Sequence, residues 1–393
     1  MDEESIKKNI CVVTATRAEY GLLKPLIQKL KLSSKFTVNV AVTGMHLSPE
    51  FGLTYKEIEN DWIEIDKKIE ILLSADTPSA ISKSMGMAMI GFADYFAEIQ
   101  FDAVILLGDR YEALAVACAS MNAGIPIVHL YGGETTEGAV DEGIRHAITK
   151  LSYLHLTSTE CYRRRVIQMG EDPERVFCVG ALGVENVLKT TCLSKLEMTD
   201  FFDIKRDRKY GLVTFHPVTL ENNSAEGQMK ELLAALDEFP DWYFIITKAN
   251  ADKDGRVVNK LVDQYYLEHE NVRVYESLGT LRYLSAMKYC EMLIGNSSSG
   301  LVEAPSFGIP TINIGDRQRG RIRAESVIDS APKRQAIIDA MKAADEIVFR
   351  RGLGNVVNPY GNGGTSDTII NILSEVLYYG RVDLKKKFYD LDW

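Results

Sequence analysis

The six cysteines of this 393-residue chain never come close together in sequence. Cys11, Cys118, Cys161, Cys178, Cys192 and Cys290 form no CxxC pair. That removes a thiolate metal ribbon and a disulfide framework from consideration, and reduced, mostly buried thiols are the simple reading. No apolar run approaches the ~18 residues that a membrane-spanning helix needs. The charged start MDEESIKKN leads into a strand, not into an apolar signal segment. The expectation is a cytoplasmic protein with no membrane partner. HExxH, Walker GxxxxGK[ST] and GxSxG motifs are all missing, so the chemistry is expected to need no metal, no cofactor and no covalent serine. Excess positive charge is missing too. Lys and Arg number 45 against 55 Asp and Glu, a formal charge of −10. Such a chain is a poor partner for nucleic acid. An anionic small ligand must be met by local arginines set against the global field.

What is present is a regular alternation. Apolar residues make up 46% and charged residues 25%, the balance of a globular enzyme. The length exceeds one typical core and favours two domains. Short apolar runs occur at Ile10–Ala15, Thr37–Val42, Ala103–Leu107, Ile125–Leu130, Leu154–Thr157 and Val176–Val179. A second series follows at Gly211–Phe215, Tyr243–Thr247, Val272–Tyr275, Met292–Gly295 and Thr311–Ile314. Helical patterns lie between them, for example at Leu22–Leu32, Thr77–Ile99 and Tyr111–Ala123. Continuous apolar strands separated by helices predict parallel sheets covered on both faces. The polar stretch Leu188–Lys209 reads as the connection between two doubly wound α/β domains. The sequence thus predicts a first domain over 1–187, joined by a C-terminal helix at about 366–393, and a second domain over 188–365. Ligands are expected in an interdomain cleft at the carboxyl ends of the strands.

The most informative stretch is MLIGNSSSGLVEAPSFGIPTINIGDRQRGRIR, from Met292 to Arg323. A strand breaks into Asn296-Ser297-Ser298-Ser299, and a short helix, about Gly300–Phe307, is expected next with Glu303 on its first turn. Backbone N–H groups and hydroxyls at such a junction suit a phosphate. Arg317 and Arg321, one strand later, can fork onto phosphate oxygens. A carboxylate beside a phosphate is awkward, so Glu303 suits a sugar hydroxyl or a proton transfer.

Other strand ends carry chemistry as well. The first delivers Arg17, which either meets phosphate or pairs on the surface with Glu19. The strand ending at Leu107 delivers Asp109 and Arg110; Asp109 reads equally as a helix cap or as a cleft carboxylate. After Leu130 come Tyr131-Gly132-Gly133-Glu134 and then Asp141 and Arg145, spaced to share a helix face. His216 follows the strand Gly211–Phe215, and His46 lies in TGMH. Arg17, Asp109, His216 and Asn296 end four different strands. The pool of arginines in these motifs fits a diphosphate, and the carboxylates fit proton abstraction beside it.

Taken together, TATRAEYG at 14–21, TGMHL at 43–47, GDRYEAL at 108–114, HLYGGETTEGAVDEGIRHAITK at 129–150, FHPVT at 215–219, IGNSSSGLVEAPSFG at 294–308, INIGDRQRGR at 312–321 and NPYGNGG at 358–364 resemble the hydrolysing UDP-N-acetylglucosamine 2-epimerases. The likeness runs over essentially the whole chain. It looks most like the branch serving sialic-acid and legionaminic-acid type pathways. The resemblance implies two Rossmann-like domains of GT-B type. It also implies removal of the sugar C2 proton, loss of UDP from C1 by anti or syn elimination, and hydration of the glycal to a free, C2-inverted sugar. UDP-N-acetylglucosamine would give N-acetylmannosamine and UDP. By the same resemblance, Arg17, Arg110, His216, Ser297, Ser298 and Arg317 hold UDP, with Asn250 and Glu303 near the nucleotide and Arg321 beside them. Asp109, Asp141 and Arg145 fall at catalytic positions, with His216 in the same group, and His46 near the sugar. Many relatives carry a carboxylate where this chain has Tyr131, so either Glu134 or the tyrosine hydroxyl fills that role. A homodimer or homotetramer is expected. The alternatives are a hydrolysing UDP-N,N'-diacetylbacillosamine 2-epimerase, a GT-B glycosyltransferase that needs an acceptor, and a sensor that binds without turnover.

Overall fold

A computed structural model describes residues 7–73, 75, 77–137, 139–218, 224–249, 254–346 and 356–391. The chain forms two compact units. The first comprises Met1–Glu134, Asp141–Glu185 and Gly361–Trp393; the second comprises Thr135–Val140 and Asn186–Tyr360.

The first unit is built on a parallel sheet of seven strands: β1 (Lys8–Thr14), β2 (Phe36–Thr43), β3 (Lys67–Ile69), β4 (Ala103–Leu107), β5 (Ile127–Leu130), β6 (Leu154–Thr157) and β7 (Val176–Cys178). Their order is β3-β2-β1-β4-β5-β6-β7. The second unit holds six parallel strands: β8 (Tyr210–Thr214), β9 (Tyr243–Thr247), β10 (Val272–Tyr275), β11 (Met292–Gly295), β12 (Thr311–Ile314) and β13 (Val327–Ser330). Their order is β10-β9-β8-β11-β12-β13. Central strands such as β4 and β12 are buried at every residue, which is why they read as unbroken apolar runs. The two strands that the apolar pattern missed, β3 (KKI) and β13 (VIDS), are edges. An edge strand has one free flank and keeps polar residues, so hydrophobicity does not announce it.

The helix Arg17–Leu32 shows how sequence becomes packing. Thr16 caps it, taking the Glu19 N–H, while the Glu19 side chain reaches back to the cap. Tyr20, Leu23, Leu26, Ile27 and Leu30 then share one buried face. Ile369 and Leu373 join the same core from the helix Thr365–Leu373, which returns to the first unit. Buried Glu185 fixes the start of that helix, accepting the Ser366 N–H at 2.6 Å and its hydroxyl at 2.7 Å.

Two expectations are corrected. The C-terminal helix does not run to the chain end. It closes in a π-helical stretch at Ser374–Tyr379, and Gly380 stops it. Beyond lies charged, non-helical chain. Second, the supposed linker Leu188–Lys209 contains the helix Lys195–Phe202. Ser194 and Glu197 form its capping box, and Met198 and Phe202 enter the second unit's core. Their spacing of four residues places both on one face, a signal that the surrounding charges obscured.

The tail after Gly380 is pinned on the first unit by a buried charge cluster. Glu171 accepts from Lys150 at 2.5 Å, from Lys386 at 2.6 Å and from His155 Nε2 at 2.9 Å. Burial alone would raise the Glu171 carboxyl, but these donors outweigh it and hold the pKa at about 2. Burial lowers the His155 pKa despite its contact with Glu171. His155 Nδ1 is buried without a hydrogen-bond partner, as befits an unprotonated nitrogen. His155 is therefore a neutral donor, and the two lysines carry the positive charge.

A depressed carboxyl contributes stability above its ordinary value of 4.5 and loses it as pH falls toward 2. Chemical denaturation of the wild type and Glu171→Gln, from neutral pH downward, measures this. The variant should be the less stable near neutrality, and the difference should shrink between pH 4.5 and 2. A difference that does not change with pH would refute the assignment.

Candidate active site

In each sheet the order of strands reverses at one place, between β1 and β4 in the first and between β8 and β11 in the second. Connections leave such adjacent strand ends toward opposite faces, and a crevice opens there. Arg17, Asp109 and Arg110 follow β1 and β4, and His216 and the Asn296–Ser299 loop follow β8 and β11. The four strands singled out by their end residues are thus the four that flank the two reversals.

In the first unit, Arg145 organises the carboxylates. Its guanidinium is buried and ion-paired with Asp109. Its Nη1 donates to Glu142 Oε2 at 2.7 Å and to the Glu134 carbonyl at 2.8 Å. Asp109, beyond β4, is therefore an ion-paired carboxylate of intermediate exposure. Asp141 starts the helix Asp141–Leu151 and is partly exposed.

His129 supports the same loop from behind. Its Nε2 donates to the Gly108 carbonyl at 2.8 Å, which fixes the tautomer because a carbonyl only accepts. Burial depresses its pKa to about 3, so the ring is neutral. His46 is buried between two threonine hydroxyls, at 3.0 Å from Thr14 and 2.8 Å from Thr54. Burial, and then the charge of Arg17, place its pKa at about 4.

Two sequence expectations change here. Glu134 was one of two candidates for the role of the carboxylate that Tyr131 replaces. Its carboxylate is buried and accepts the Ser158 hydroxyl at 2.6 Å. Gly133 serves packing, since a Cβ there would lie 2.5 Å from the Tyr162 carbonyl. Tyr131 sits at φ +68°, a left-handed conformation costly for a tyrosine, with its ring against the core. Glu19 is likewise buried and is no surface partner of Arg17.

The second unit shapes a polar loop. Gly295 (φ +136°) passes so close to β8 that a Cβ would lie 2.0 Å from the Thr214 carbonyl. Asn296 then clips the two strand ends together. Its Oδ1 accepts the His216 N–H at 2.7 Å, and its Nδ2 donates to the His216 carbonyl at 2.8 Å. The Asn296 carbonyl receives Arg317 at 3.1 Å and Gln318 at 2.8 Å. One asparagine therefore places both the histidine and the arginine loop. Ser299 bonds Ser297 at 3.0 Å and Tyr283 at 2.6 Å through the hydroxyls. Ser297 and Ser298 remain partly exposed.

Glu303 is not on the first turn of a single helix. Two four-residue helices, Ser299–Val302 and Ala304–Phe307, meet at it. Pro305 lacks the N–H that would continue the ladder. A broken helix has little macrodipole, so local N–H groups and hydroxyls do the polar work. Arg321 donates to the Thr135 carbonyl at 3.1 Å. Asn358 holds Val302 and Ser306 at 2.8 and 2.7 Å, binding the late NPYG loop to the serine helix. Asn250 lies outside the described residues. No group of three or more His, Cys, Asp or Glu with metal-binding geometry occurs among the described residues.

Sequence reasoning missed Glu112, Glu142, Ser158 and Gln318. Glu112 and Glu142 are next to flagged residues and were legible as carboxylates within reach of an arginine. Ser158 and Gln318 carried no signal, because only folding brings them to Glu134 and Asn296.

Two doubly wound sheets, each with polar groups gathered at its reversal, define an α/β enzyme of GT-B-like fold. A crystal structure of UDP-GlcNAc 2-epimerase from Neisseria meningitidis bound to UDP-GlcNAc has that fold. It matches with a TM-score of 0.79 over 93% of this chain and 100% of that one, at 21% identity. The family model described as UDP-N-acetylglucosamine 2-epimerase matches residues 28–374. The GDP/UDP-N,N'-diacetylbacillosamine 2-epimerase (hydrolyzing) of Campylobacter jejuni is 44% identical over 325 residues, 82% of this chain and 84% of that protein. The polysialic acid biosynthesis protein P7 of Escherichia coli is 39% identical over 388 residues, 98% of each. The chain belongs to the UDP-N-acetylglucosamine 2-epimerase family and is an enzyme of the UDP-sugar 2-epimerase type.

Asn296→Ala should unclip β8 from β11. It should destabilise the fold by about 1–3 kcal/mol, the cost of stranding buried polar groups, and weaken UDP binding together with it. Calorimetry of UDP binding beside a denaturation curve checks both. Unchanged affinity would mean that Asn296 does not place the binding loop.

Proposed function

We propose that the protein hydrolyses a UDP-2-acetamido sugar with inversion at C2, releasing UDP and the free sugar. The observation that carries this reading is the division of labour between the two reversals. One gathers carboxylates around Arg145, and the other gathers hydroxyls, a histidine and arginines. Asp109, steered by Arg145, is the group we assign to the C2 proton. That proton is only weakly acidic, so stabilisation of departing UDP must drive the step. Arg17, Arg110, His216, Ser297, Ser298, Arg317 and Arg321 are assigned to that task. Glu303 is assigned to the ribose hydroxyls and His46 to positioning near the sugar. The C2–H and C1–O bonds break, the proton goes to the base, and UDP leaves with the electron pair. Water then adds across the glycal double bond, its hydroxyl to C1 and a proton to C2 on the opposite face. Asp141 is the partner we assign to that proton. Buried Glu134 supports Arg145 through its carbonyl.

UDP-N-acetylglucosamine, giving N-acetylmannosamine, is the substrate suggested by the motifs. A second substrate, UDP-N,N'-diacetylbacillosamine, is favoured by one observation: the 44% identical Campylobacter relative is named for it. Either product fits supply to a sialic-acid type pathway, in keeping with the likeness to protein P7.

Each nucleotide sugar, incubated alone with the protein in D2O and followed by proton NMR, tests this reading. UDP should be released without any acceptor, and deuterium should enter C2 of the product. Protium retained at C2, or turnover only with an acceptor, would defeat it.

Variants divide the roles. Asp109→Asn should lower kcat by roughly 10²–10⁴-fold, the range for a lost acid–base group, with little change in UDP affinity. Near-normal turnover with a reduced Tm would make Asp109 a structural partner of Arg145 and not the base. Glu134→Gln should act mainly on stability; if it abolished turnover in a stable protein while Tyr131→Phe did not, Glu134 would replace Asp141 as the partner acid.

A further inference from the structure

Behind Arg110 lie two buried carboxylates that the roles above do not use. Glu112 sits on the first turn of the helix Tyr111–Asn122 and is fully buried. Arg110 Nε meets its Oε2 at 3.2 Å and Nη2 meets its Oε1 at 3.3 Å. A side-on fork of this kind fixes the plane of a guanidinium. The backbone also closes over the carboxylate, since a Cβ on Gly44 would lie 3.3 Å from Glu112 Oε1. Glu112 therefore has little freedom to turn away.

Glu19 is the second carboxylate. Its Oε2 accepts the N–H groups of Ala15 at 2.7 Å and Thr16 at 3.3 Å. Both bonds fall on one oxygen, so a proton on the other is compatible with the capping geometry. Burial pushes its pKa up; Arg110 pulls it down and Glu112 pushes it up again, to about 7. The charged groups that act on it are Arg110 and Glu112 at the β4 end; Arg17, two residues earlier on its own helix, acts on His46 on the turn after β2 and on Glu57. His46 is neutral across this range. With Glu19 protonated, Arg110 and Glu112 balance each other; with Glu19 ionised, the three groups carry one negative charge.

We propose that Glu112 and Glu19 are positioning residues for the diphosphate site: Glu112 sets the plane of Arg110, and ionisation of Glu19 lowers the affinity for the anionic substrate. This rests on the reading that Arg110 meets the diphosphate. The charged state of that arginine never changes. What changes is the field behind it, and an anion feels the sum. The sign follows directly. Affinity is highest below neutrality and falls as pH rises through the titration of Glu19.

The test uses whichever of the two nucleotide sugars is turned over, since its diphosphate stays fully ionised across the range. KM and kcat are measured from pH 6 to about pH 8.5, spanning the group's titration. Wild-type KM should rise severalfold across this range, and Glu19→Gln should keep a low KM that no longer responds. Glu112→Gln should raise KM about tenfold, the scale of one weakened hydrogen bond to a charged group, with a smaller change in kcat. Glu112→Asp, which keeps the carboxylate, should recover part of the loss. Arg110→Ala with Glu112→Gln should be no worse than Arg110→Ala alone, because Glu112 acts through that arginine. Melting curves identify any variant that fails to fold; Glu112→Asp then carries the comparison. Normal KM in a folded Glu112→Gln, additive losses in the double variant, or a KM response to pH that survives Glu19→Gln would each overturn the proposal. An unaltered KM in Arg110→Ala would overturn the underlying assignment of Arg110 as well, which separates the two failures.

Discussion

Where β11 meets the end of β8, two backbones pass closer than any side chain allows. The absent Cβ of Gly295 makes that approach possible, and the Asn296 amide seals it by pairing with both backbone groups of His216. The histidine, the arginine loop and the serine loop of the second unit's candidate site are referred to that clip. Arg317 and Gln318 hang from the Asn296 carbonyl, and the serine loop starts from the next residue. The proposed role of meeting a flexible diphosphate calls for preorganised donors, because ordering them at the moment of binding would cost affinity. A single asparagine supplies that order at small cost in chain length.

The first unit solves the converse problem. A chain with ten excess negative charges must gather carboxylates without letting them repel one another or the substrate. Arginine is the answer in both of its clusters, buried at Arg145 and partly exposed at Arg110. Arg145 lies among Asp109, Glu142 and the Glu134 carbonyl, and Arg110 lies beside Glu112 with Glu19 near. Breaking either cluster on one side would leave an uncompensated charge in a poorly solvated place. The distal Glu171 cluster follows the same logic with lysines, and its yield is an anchored tail instead of a reactive group.

The class of fold was readable because parallel strands are buried on both faces and so appear as apolar blocks. The readable blocks became all the interior strands and two of the four edges, β7 and β10. The exceptions have definite causes: β3 and β13 are edges, and the helix Lys195–Phe202 hides two core residues among charges. Within the site, residues flagged in sequence stood at strand ends, where chemistry concentrates in this architecture. Those missed were of two kinds. Glu112 lies two residues past Arg110 and Glu142 shares a helix with Asp141 and Arg145, and a charge-pair search would have found them. Ser158 lies 24 residues from Glu134 and Gln318 lies 22 from Asn296, and no local pattern connects either pair.

By itself, then, the sequence determined local things: which segments are strands, where capping begins a helix, which residue types end each strand, and through its motifs which family the chain resembles. These follow from nearest-neighbour physics and short spacing. Only the tertiary structure decided which strands lie side by side. Strand order placed β1 next to β4 and β8 next to β11, and so turned four separate strand ends into two crevices. It also decided the protonation and freedom of individual groups. Glu19, His46, His129 and Glu134 are ordinary letters in the sequence, and their behaviour comes from burial among particular partners. Burial is a property of long-range packing, summed over elements far apart in the chain, and no window of sequence contains it.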